Sequence, residues 1–120
     1  MTRSAPEKLI LIVDDDVLIC QLLTDILEEA GFTVAVAANG VEGLSFLAHT
    51  LVDGIVCDLV MPQMDGLQFC QKVRSESRFS ALPIIMLTAR TDLEATVNPF
   101  QVGVDDYLIK PVDARELVAR

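Results

Sequence analysis

The sequence predicts a doubly wound α/β domain, in which five parallel strands form a sheet that is covered by helices on both faces. Three observations support this prediction. Short apolar runs alternate along the chain with segments of helical periodicity. The first run, residues 9–13, contains no polar residue, which is the pattern of a strand covered on both faces. A length of 120 residues, 52% of them hydrophobic and 22% charged, suits one domain with a single core.

The predicted strands are short and end beside polar residues. In order, they comprise residues 9–13, 34–37, 52–58, 83–88 and 106–109. Proline is acceptable as the first residue of the fourth strand, because its nitrogen need not join the hydrogen-bond ladder there. Parallel strands require crossover connections, and the segments between these runs are long enough to supply helices.

The first three helices are predicted from the spacing of their apolar residues. The first begins at Val17, with Asp16 expected as its N-cap, and stops at Gly31. The second follows the Asn39-Gly40 turn and reaches about residue 50, and the third begins at Gly66 and ends near residue 75. The residues expected to face inward are Ile19, Leu22, Leu23, Ile26 and Leu27 in the first helix, Val41, Leu44 and Leu47 in the second, and Leu67, Cys70 and Val73 in the third.

The sequence of the last two predicted helices is less typical of a regular helix. Pro99 falls inside the predicted fourth helix, residues 92–102, where a proline costs about 3 kcal/mol or more. We therefore expect this helix to be altered or mobile, or to restart with Asn98 as a cap. The fifth helix, residues 113–120, reaches the end of the sequence and is short for an isolated helix, which is consistent with a natural protein that continues beyond Arg120. We expect residues 1–7 to be a disordered leader and residues 8–120 to form the domain.

The composition excludes several kinds of partner. A formal net charge of −9 and a pI of about 4.3 argue against direct binding to nucleic acid, which requires a basic face. No apolar run approaches the length that crosses a membrane, and the N-terminal residues do not resemble a signal peptide. Three cysteines at apolar positions, Cys20, Cys57 and Cys70, indicate buried free thiols in a reducing compartment. These features predict a cytoplasmic protein.

Polar residues follow four of the five predicted strands. In doubly wound sheets, ligands bind beyond the carboxyl ends of the strands. The residues found there are Asp14 and Asp15 after the first strand, Asp58 after the third, Thr88 after the fourth and Lys110 after the fifth. Two carboxylates about 4 Å apart repel by roughly 4 kcal/mol at an effective dielectric constant of 20, so three converging acids need a cation. Carboxylate oxygens suit Mg²⁺, which also keeps water ligands that phosphate oxygens can replace.

Together these residue types predict a site of phosphoryl transfer. Lys110 supplies a positive charge and Thr88 a hydroxyl donor for phosphoryl oxygens. The sequence contains no recognisable serine or cysteine nucleophile, and His49 lies at the end of the second predicted helix, far from the strand ends. The Asp58 carboxylate is therefore the candidate acceptor.

Several spaced motifs together resemble the receiver domain of two-component response regulators, over essentially the whole chain. They are Val13-Asp14-Asp15, Asp58 with Met61-Pro62 and Met64-Asp65-Gly66, Leu87-Thr88-Ala89, Asp105-Asp106-Tyr107, and Lys110-Pro111. The resemblance implies a flavodoxin-like sheet of strand order 2-1-3-4-5. It implies a signalling domain and not an enzyme with an external substrate, apart from phosphorylation and dephosphorylation of its own aspartate.

The resemblance also implies roles for single residues. Asp58 would be the phosphoacceptor. Mg²⁺ would be bound by Asp15 directly, by Asp14 directly or through water, by Asp58, and by the backbone carbonyl of Val60. Thr88 and Lys110 would bind the phosphoryl group, and Tyr107 would turn inward as Thr88 moves. Since Val60 cannot hydrogen-bond an attacking water, we expect slow loss of the phosphoryl group.

Partners follow from the same resemblance. The phosphoryl donor would be a sensor histidine kinase or a phosphotransfer protein, and the output would leave through the face formed by helix four, strand five and helix five. Asp106, Glu116 and Arg120 resemble residues that pair in homodimers of one branch of the family. Residues 92–102 contain no Lys or Arg to complete that pairing, so the sequence leaves open whether a homodimer forms.

Other interpretations of the same residues remain to be tested. Asp14-Asp15-Asp16 also fits a haloacid-dehalogenase-like phosphatase with Asp14 as nucleophile, although Leu18 and the order of the acids around Lys110 do not match that class. A structural adaptor without phosphorylation and a flavodoxin-type cofactor binder are further alternatives. Asp65 is expected to form a turn. An ordinary core aromatic is the alternative interpretation of Tyr107. Cys57 should face away from the site and be inert.

Overall fold

Five parallel strands form one sheet, and their order confirms the predicted fold class. The computed structural model describes residues 8–58, 66–79, 82–88 and 106–109. The strands are β1 (Leu9–Val13), β2 (Thr33–Ala37), β3 (Gly54–Asp58), β4 (Ile84–Thr88) and β5 (Asp106–Ile109). Their order in the sheet is β2-β1-β3-β4-β5, and every neighbouring pair is parallel. Strands β1 and β3 are therefore neighbours whose carboxyl ends lie at the same edge of the sheet.

Helices pack on both faces of this sheet. The described helices are α1 (Val17–Glu29), α2 (Gly40–His49) and α3 (Gly66–Arg74), and a short 3₁₀ helix (Ser77–Phe79) follows α3. Side chains alternate between the two faces along each strand. The layer under α1 contains Ile12, Val56 and Leu87 together with Cys20, Leu23 and Leu27. The opposite layer contains Leu11, Val13, Ile55, Cys57, Ile84 and Met86 together with Leu47, Phe69, Cys70, Val73 and Phe79.

Both ends of α1 are capped by local residues. The Asp16 carboxylate accepts hydrogen bonds from the backbone N–H groups of Leu18 at 2.9 Å and Ile19 at 3.3 Å, which confirms its role as N-cap. At the other end, Gly31 has a φ of 100°. The N–H groups of Gly31 and Phe32 donate to the carbonyls of Glu28 and Leu27, both at 3.0 Å. This pair of bonds is a Schellman motif, and it explains why the helix stops where the sequence predicts.

Gly31→Ala is expected to destabilise the protein by about 1 kcal/mol, because an L-residue pays roughly that amount for a left-handed backbone. Open space surrounds the site of an added Cβ, so the cost is conformational and not steric. Urea unfolding followed by circular dichroism measures it. Gly31→Asn is the matched control and should lose less stability, since asparagine adopts this conformation more readily. Equal losses in the two variants would contradict the explanation.

Two predicted inward residues are in fact exposed. Leu22 is 47% exposed, because α1 buries Cys20, Leu23 and Leu27 and turns Leu22 past the edge of that face. Val41 is 49% exposed, because the inward positions at the start of α2 are occupied by glycines 40 and 43. Strand β3 begins two residues later than predicted, at Gly54, and β4 begins one residue later, at Ile84. Strand β2 begins one residue earlier than predicted, at Thr33.

The end of α3 is joined to the start of β4 by one side chain. The Arg74 Nη1 group donates hydrogen bonds to the backbone carbonyls of Phe79 at 2.8 Å and Leu82 at 2.7 Å. These two bonds link the last residue of α3 to the backbone on either side of residues 80 and 81. The predicted fourth and fifth helices, the predicted leader at residues 1–7 and the turn at Asp65 lie outside the described residues.

Candidate functional site

Three carboxylates meet at the carboxyl edge of the two central strands. Asp14 and Asp15 follow β1 directly, and Asp58 is the last residue of β3. Val13 and Cys57 are register partners, so the carboxyl ends of β1 and β3 lie side by side in the sheet. One carboxylate oxygen from each of the three aspartates lies within 4.8 Å of the others. The structure therefore brings together the three acids that the strand ends predict.

The acids differ in their exposure to solvent. Asp14 is 2% exposed and Asp58 is 7% exposed, whereas Asp15 is exposed. The backbone N–H of Asp14 donates to the carbonyl of Ala37 at 3.1 Å, and the N–H of Asp16 donates to Asp14 Oδ1 at 2.9 Å. The Asp14 carboxylate is thus held by a backbone N–H two residues later in the chain. The site is open to solvent at the exposed Asp15.

A divalent cation would relieve the repulsion in this cluster. Unit charges 4 Å apart interact by about 1 kcal/mol in water and by about 4 kcal/mol at an effective dielectric constant of 20. The donors are all carboxylate oxygens, which suit hard cations, and the open side at Asp15 leaves room for the waters that Mg²⁺ retains. The residues present therefore fit a magnesium ion.

Cys20 lies beside the acids, although sequence reasoning gave it no place at the site. Its Sγ–H donates to the backbone carbonyl of Asp14 at 3.4 Å, and the residue is 7% exposed. Burial, followed by the negative charges of Asp14, Asp16, Asp15 and Asp58, raises the pKa of the Cys20 thiol from 9.0 to about 11. The thiol therefore stays protonated near neutral pH, which makes it a hydrogen-bond donor and not a nucleophile. The predicted burial of Cys20 as a free thiol is confirmed, and its position four residues after the N-cap Asp16 is the sequence signal that could have placed it beside the acids.

A groove of about 510 Å³ runs from the acids between α1 and β2. Its sides include Val17, Gln21 and Thr24 of α1 and Val36 of β2, and the described residues that line it include no lysine or arginine. The acidic residues among those that line the groove are Asp14, Asp15 and Asp25.

Two of the other predicted site residues, Thr88 and Tyr107, lie in neighbouring strands. Thr88 ends β4, and the residue before it, Leu87, is the register partner of Asp58. Tyr107 lies in β5 as the register partner of Met86. Val60 and Lys110 lie outside the described residues.

Two residues, Cys57 and His49, were predicted to lie away from the site, and the structure describes both. Cys57 is completely buried in the layer opposite α1, whereas Cys20, which contacts Asp14, lies in the layer under α1. That Cys57 is chemically inert stays a prediction. His49 is the last residue of α2 and is exposed. In the part of the chain that the structure describes, no helix combines the length and hydrophobicity needed to span a membrane.

Asp15→Asn is expected to stabilise the metal-free protein by about 1 kcal/mol, because it removes one of three mutually repelling charges. It should also remove much of the stabilisation that Mg²⁺ gives the wild type, since one ligand becomes neutral. Thermal unfolding in EDTA and in excess Mg²⁺ measures both effects. Asp25→Asn, an exposed substitution of the same kind in α1, is the control and should change neither. A loss of stability in EDTA for Asp15→Asn would contradict the repulsion argument.

The arrangement agrees with a known family. A family model described as "Response regulator receiver domain" matches residues 10–120. The chain belongs to the response regulator receiver family. Receiver domains are signalling domains and not conventional enzymes, and the match favours this assignment over the phosphatase alternative.

Individual relatives agree with the family match. The DNA-binding dual master transcriptional regulator RpaA of Synechocystis is 40% identical over 111 residues, which cover 92% of this chain and 46% of that protein. The receiver domain thus spans about half the length of the curated relatives it matches.

Solved structures show the same fold. The chemotaxis response regulator CheY4 of Vibrio cholerae has a TM-score of 0.88 at 34% identity, covering 95% of each chain. The receiver domain of a sensor histidine kinase from Pseudomonas aeruginosa has a TM-score of 0.85 at 29% identity, covering 95% of this chain and 93% of that one. That structure contains a magnesium ion coordinated in the active site cleft.

Proposed function

We propose that this receiver domain accepts a phosphoryl group on Asp58 from the phosphohistidine of a sensor histidine kinase or a phosphotransfer protein. The observation that carries the proposal is the convergence of Asp58 with Asp14 and Asp15, all within 4.8 Å, at the carboxyl end of β3. A cation site beside a carboxylate is what transfer to that carboxylate requires, since the reacting groups are all negatively charged.

Each residue would make a separate contribution to the transfer. Asp14, Asp15, Asp58 and the backbone carbonyl of Val60 would hold Mg²⁺, which supplies positive charge to the phosphoryl oxygens. The buried Asp14 carboxylate accepts the Asp16 N–H, so its position is preset before a cation binds. Exposed Asp15 leaves the open side through which a donor can approach.

The bond changes are those of a direct displacement. A carboxylate oxygen of Asp58 forms a bond to phosphorus while the bond from phosphorus to the histidine nitrogen breaks, and the electron pair remains on the imidazole. The product is an acyl phosphate on Asp58. Lys110 would pair with a phosphoryl oxygen and the Thr88 hydroxyl would donate to another.

The register of β4 and β5 supports a route for the output. Thr88 is paired with Ile109, and Met86 with Tyr107, so the two proposed switch residues lie on adjacent strands. Movement of Thr88 towards the phosphoryl group would let Tyr107 turn inward and change the face of helix four, strand five and helix five. That face would control an attached domain, a partner or a homodimer. A DNA-binding output domain is favoured, since similar relatives are DNA-binding regulators.

Incubation with acetyl phosphate tests the proposal without knowledge of the kinase. Intact-mass spectrometry should show addition of one phosphoryl group in Mg²⁺ and none in EDTA. Borohydride reduction of the acyl phosphate followed by peptide mapping should locate the label at Asp58. Uptake that is independent of Mg²⁺, or a label at Asp14, would overturn the proposal.

A further inference from the structure

We infer that Cys20 is a positioning residue for the metal site, where its thiol fixes the backbone of Asp14 by a hydrogen bond. The inference rests on the proposed function, because it concerns how strongly the site binds Mg²⁺. Cys20 would not touch the cation or the phosphoryl group. It would act through Asp14, whose carboxylate is one of the proposed ligands.

The evidence is a group of hydrogen bonds that link the end of β1 to the start of α1. The Cys20 Sγ–H donates to the Asp14 carbonyl at 3.4 Å, and the Cys20 N–H donates to the Asp16 carbonyl at 3.0 Å. The Asp16 N–H in turn donates to Asp14 Oδ1 at 2.9 Å. The side-chain oxygen and the backbone carbonyl of Asp14 are therefore both bonded to the segment that begins α1.

The other side of Asp14 is fixed by the sheet. Its N–H donates to the Ala37 carbonyl at 3.1 Å, at the end of the neighbouring strand β2. The peptide group after Asp14 comes next along the chain, and the Cys20 thiol contacts the carbonyl of that peptide group. The same peptide group leads into Asp15, so its orientation influences two of the three carboxylates in the cluster.

The Cys20 side chain that makes this hydrogen bond is also part of the hydrophobic core. Cys20 belongs to the apolar layer with Leu23, Ile12 and Val56, and Val56 is on the strand that ends at Asp58. The hydrophobic cluster that contains Cys20 thus includes residues of β1 and β3, the strands that end beside Asp14 and at Asp58. The thiol thus combines two functions, since it fills space in the core and donates to the loop.

Two substitutions separate these functions. Cys20→Ala and Cys20→Ser both shorten the side chain, but serine retains an O–H donor and alanine has none. We expect Cys20→Ala to weaken Mg²⁺ binding about fivefold, the factor that corresponds to a typical single hydrogen bond. Cys20→Ser should remain within about twofold of the wild type on the same scale. Isothermal titration calorimetry measures the dissociation constants, and the amide NMR shifts of residues 14–16 report the loop directly.

Both variants should be less stable than the wild type in urea unfolding, because each removes the buried sulfur atom from the apolar layer under α1. Cys70→Ala, the same substitution in the opposite layer, is the control, and it should lower stability without changing Mg²⁺ affinity.

The outcomes distinguish this inference from the proposed function. Absence of Mg²⁺ binding by the wild type would overturn the proposed function and the inference with it. Wild-type binding with unchanged affinity in Cys20→Ala would overturn the inference and leave the proposed function intact. Equal weakening in Cys20→Ala and Cys20→Ser would also overturn it, since that result assigns the effect to packing and not to the hydrogen bond.

Discussion

Asp58→Asn is expected to abolish the uptake of phosphate from acetyl phosphate, with no mass gain in Mg²⁺ after an incubation that converts the wild type. The amide oxygen of asparagine is a poor nucleophile, so no acyl phosphate can form. The variant should still fold, because the substitution changes the charge but hardly the volume of a side chain at the end of β3. Intact-mass spectrometry measures the uptake, and circular dichroism confirms the fold.

Asp16→Asn is the matched control for this loss. It makes the same chemical change two residues from Asp14, at a residue whose carboxylate caps α1. Asparagine caps helices about as well as aspartate, so both uptake and stability should be retained. Full uptake by Asp58→Asn would contradict the proposed function, and together with loss of uptake in Asp14→Asn it would favour the phosphatase alternative.

Phe69→Ala is expected to lower the free energy of unfolding by about 3–5 kcal/mol, the usual cost of removing a large buried aromatic. Phe69 is completely buried in the layer opposite α1. Its ring lies against the backbone of α2, where a Cβ added to Gly43 would be 2.9 Å from Phe69 Cε1 and 3.2 Å from Val13 Cγ2. Urea unfolding measures the loss.

A double-mutant cycle tests whether Gly43 and Phe69 form one packing unit. Gly43→Ala should destabilise the wild type, because the added methyl group overlaps the ring of Phe69. The same substitution should cost much less in a Phe69→Ala background, where the ring is absent. Strictly additive losses would show that the ring and the glycine act independently.

Most of the sheet could be predicted from the sequence because each strand is a distinct apolar run. Residues 9–13 and 106–109 match β1 and β5 at both ends, and Asp58 ends β3 as predicted. The carboxyl ends of parallel strands share one edge, so the meeting of Asp14, Asp15 and Asp58 follows from the order of the strands. The caps at Asp16 and Gly31 were predictable because both depend on neighbouring residues.

The features that sequence reasoning missed depend on packing between distant elements. A hydrophobic pattern selects large apolar residues, so it favoured Val41 and overlooked Gly43, whose missing side chain makes room for Phe69. It also placed the exposed Leu22 on the inner face, and although the burial of Cys20 was predicted and is confirmed, its contact with the Asp14 carbonyl was not foreseen. Both errors arise because the distance between a helix and its neighbours is not encoded in the helix itself.

The separation of the two hydrophobic layers has a consequence for how such a domain can diversify. Among the described helices, α1 packs on one face of the sheet, and α2 and α3 pack on the other. Distant substitutions on opposite faces should combine additively in their effects on stability. Mutation can therefore alter the outer surface of α1, where Leu18 is 75% exposed, without disturbing the packing around Phe69. Recognition and structural integrity can evolve at different rates in one small protein.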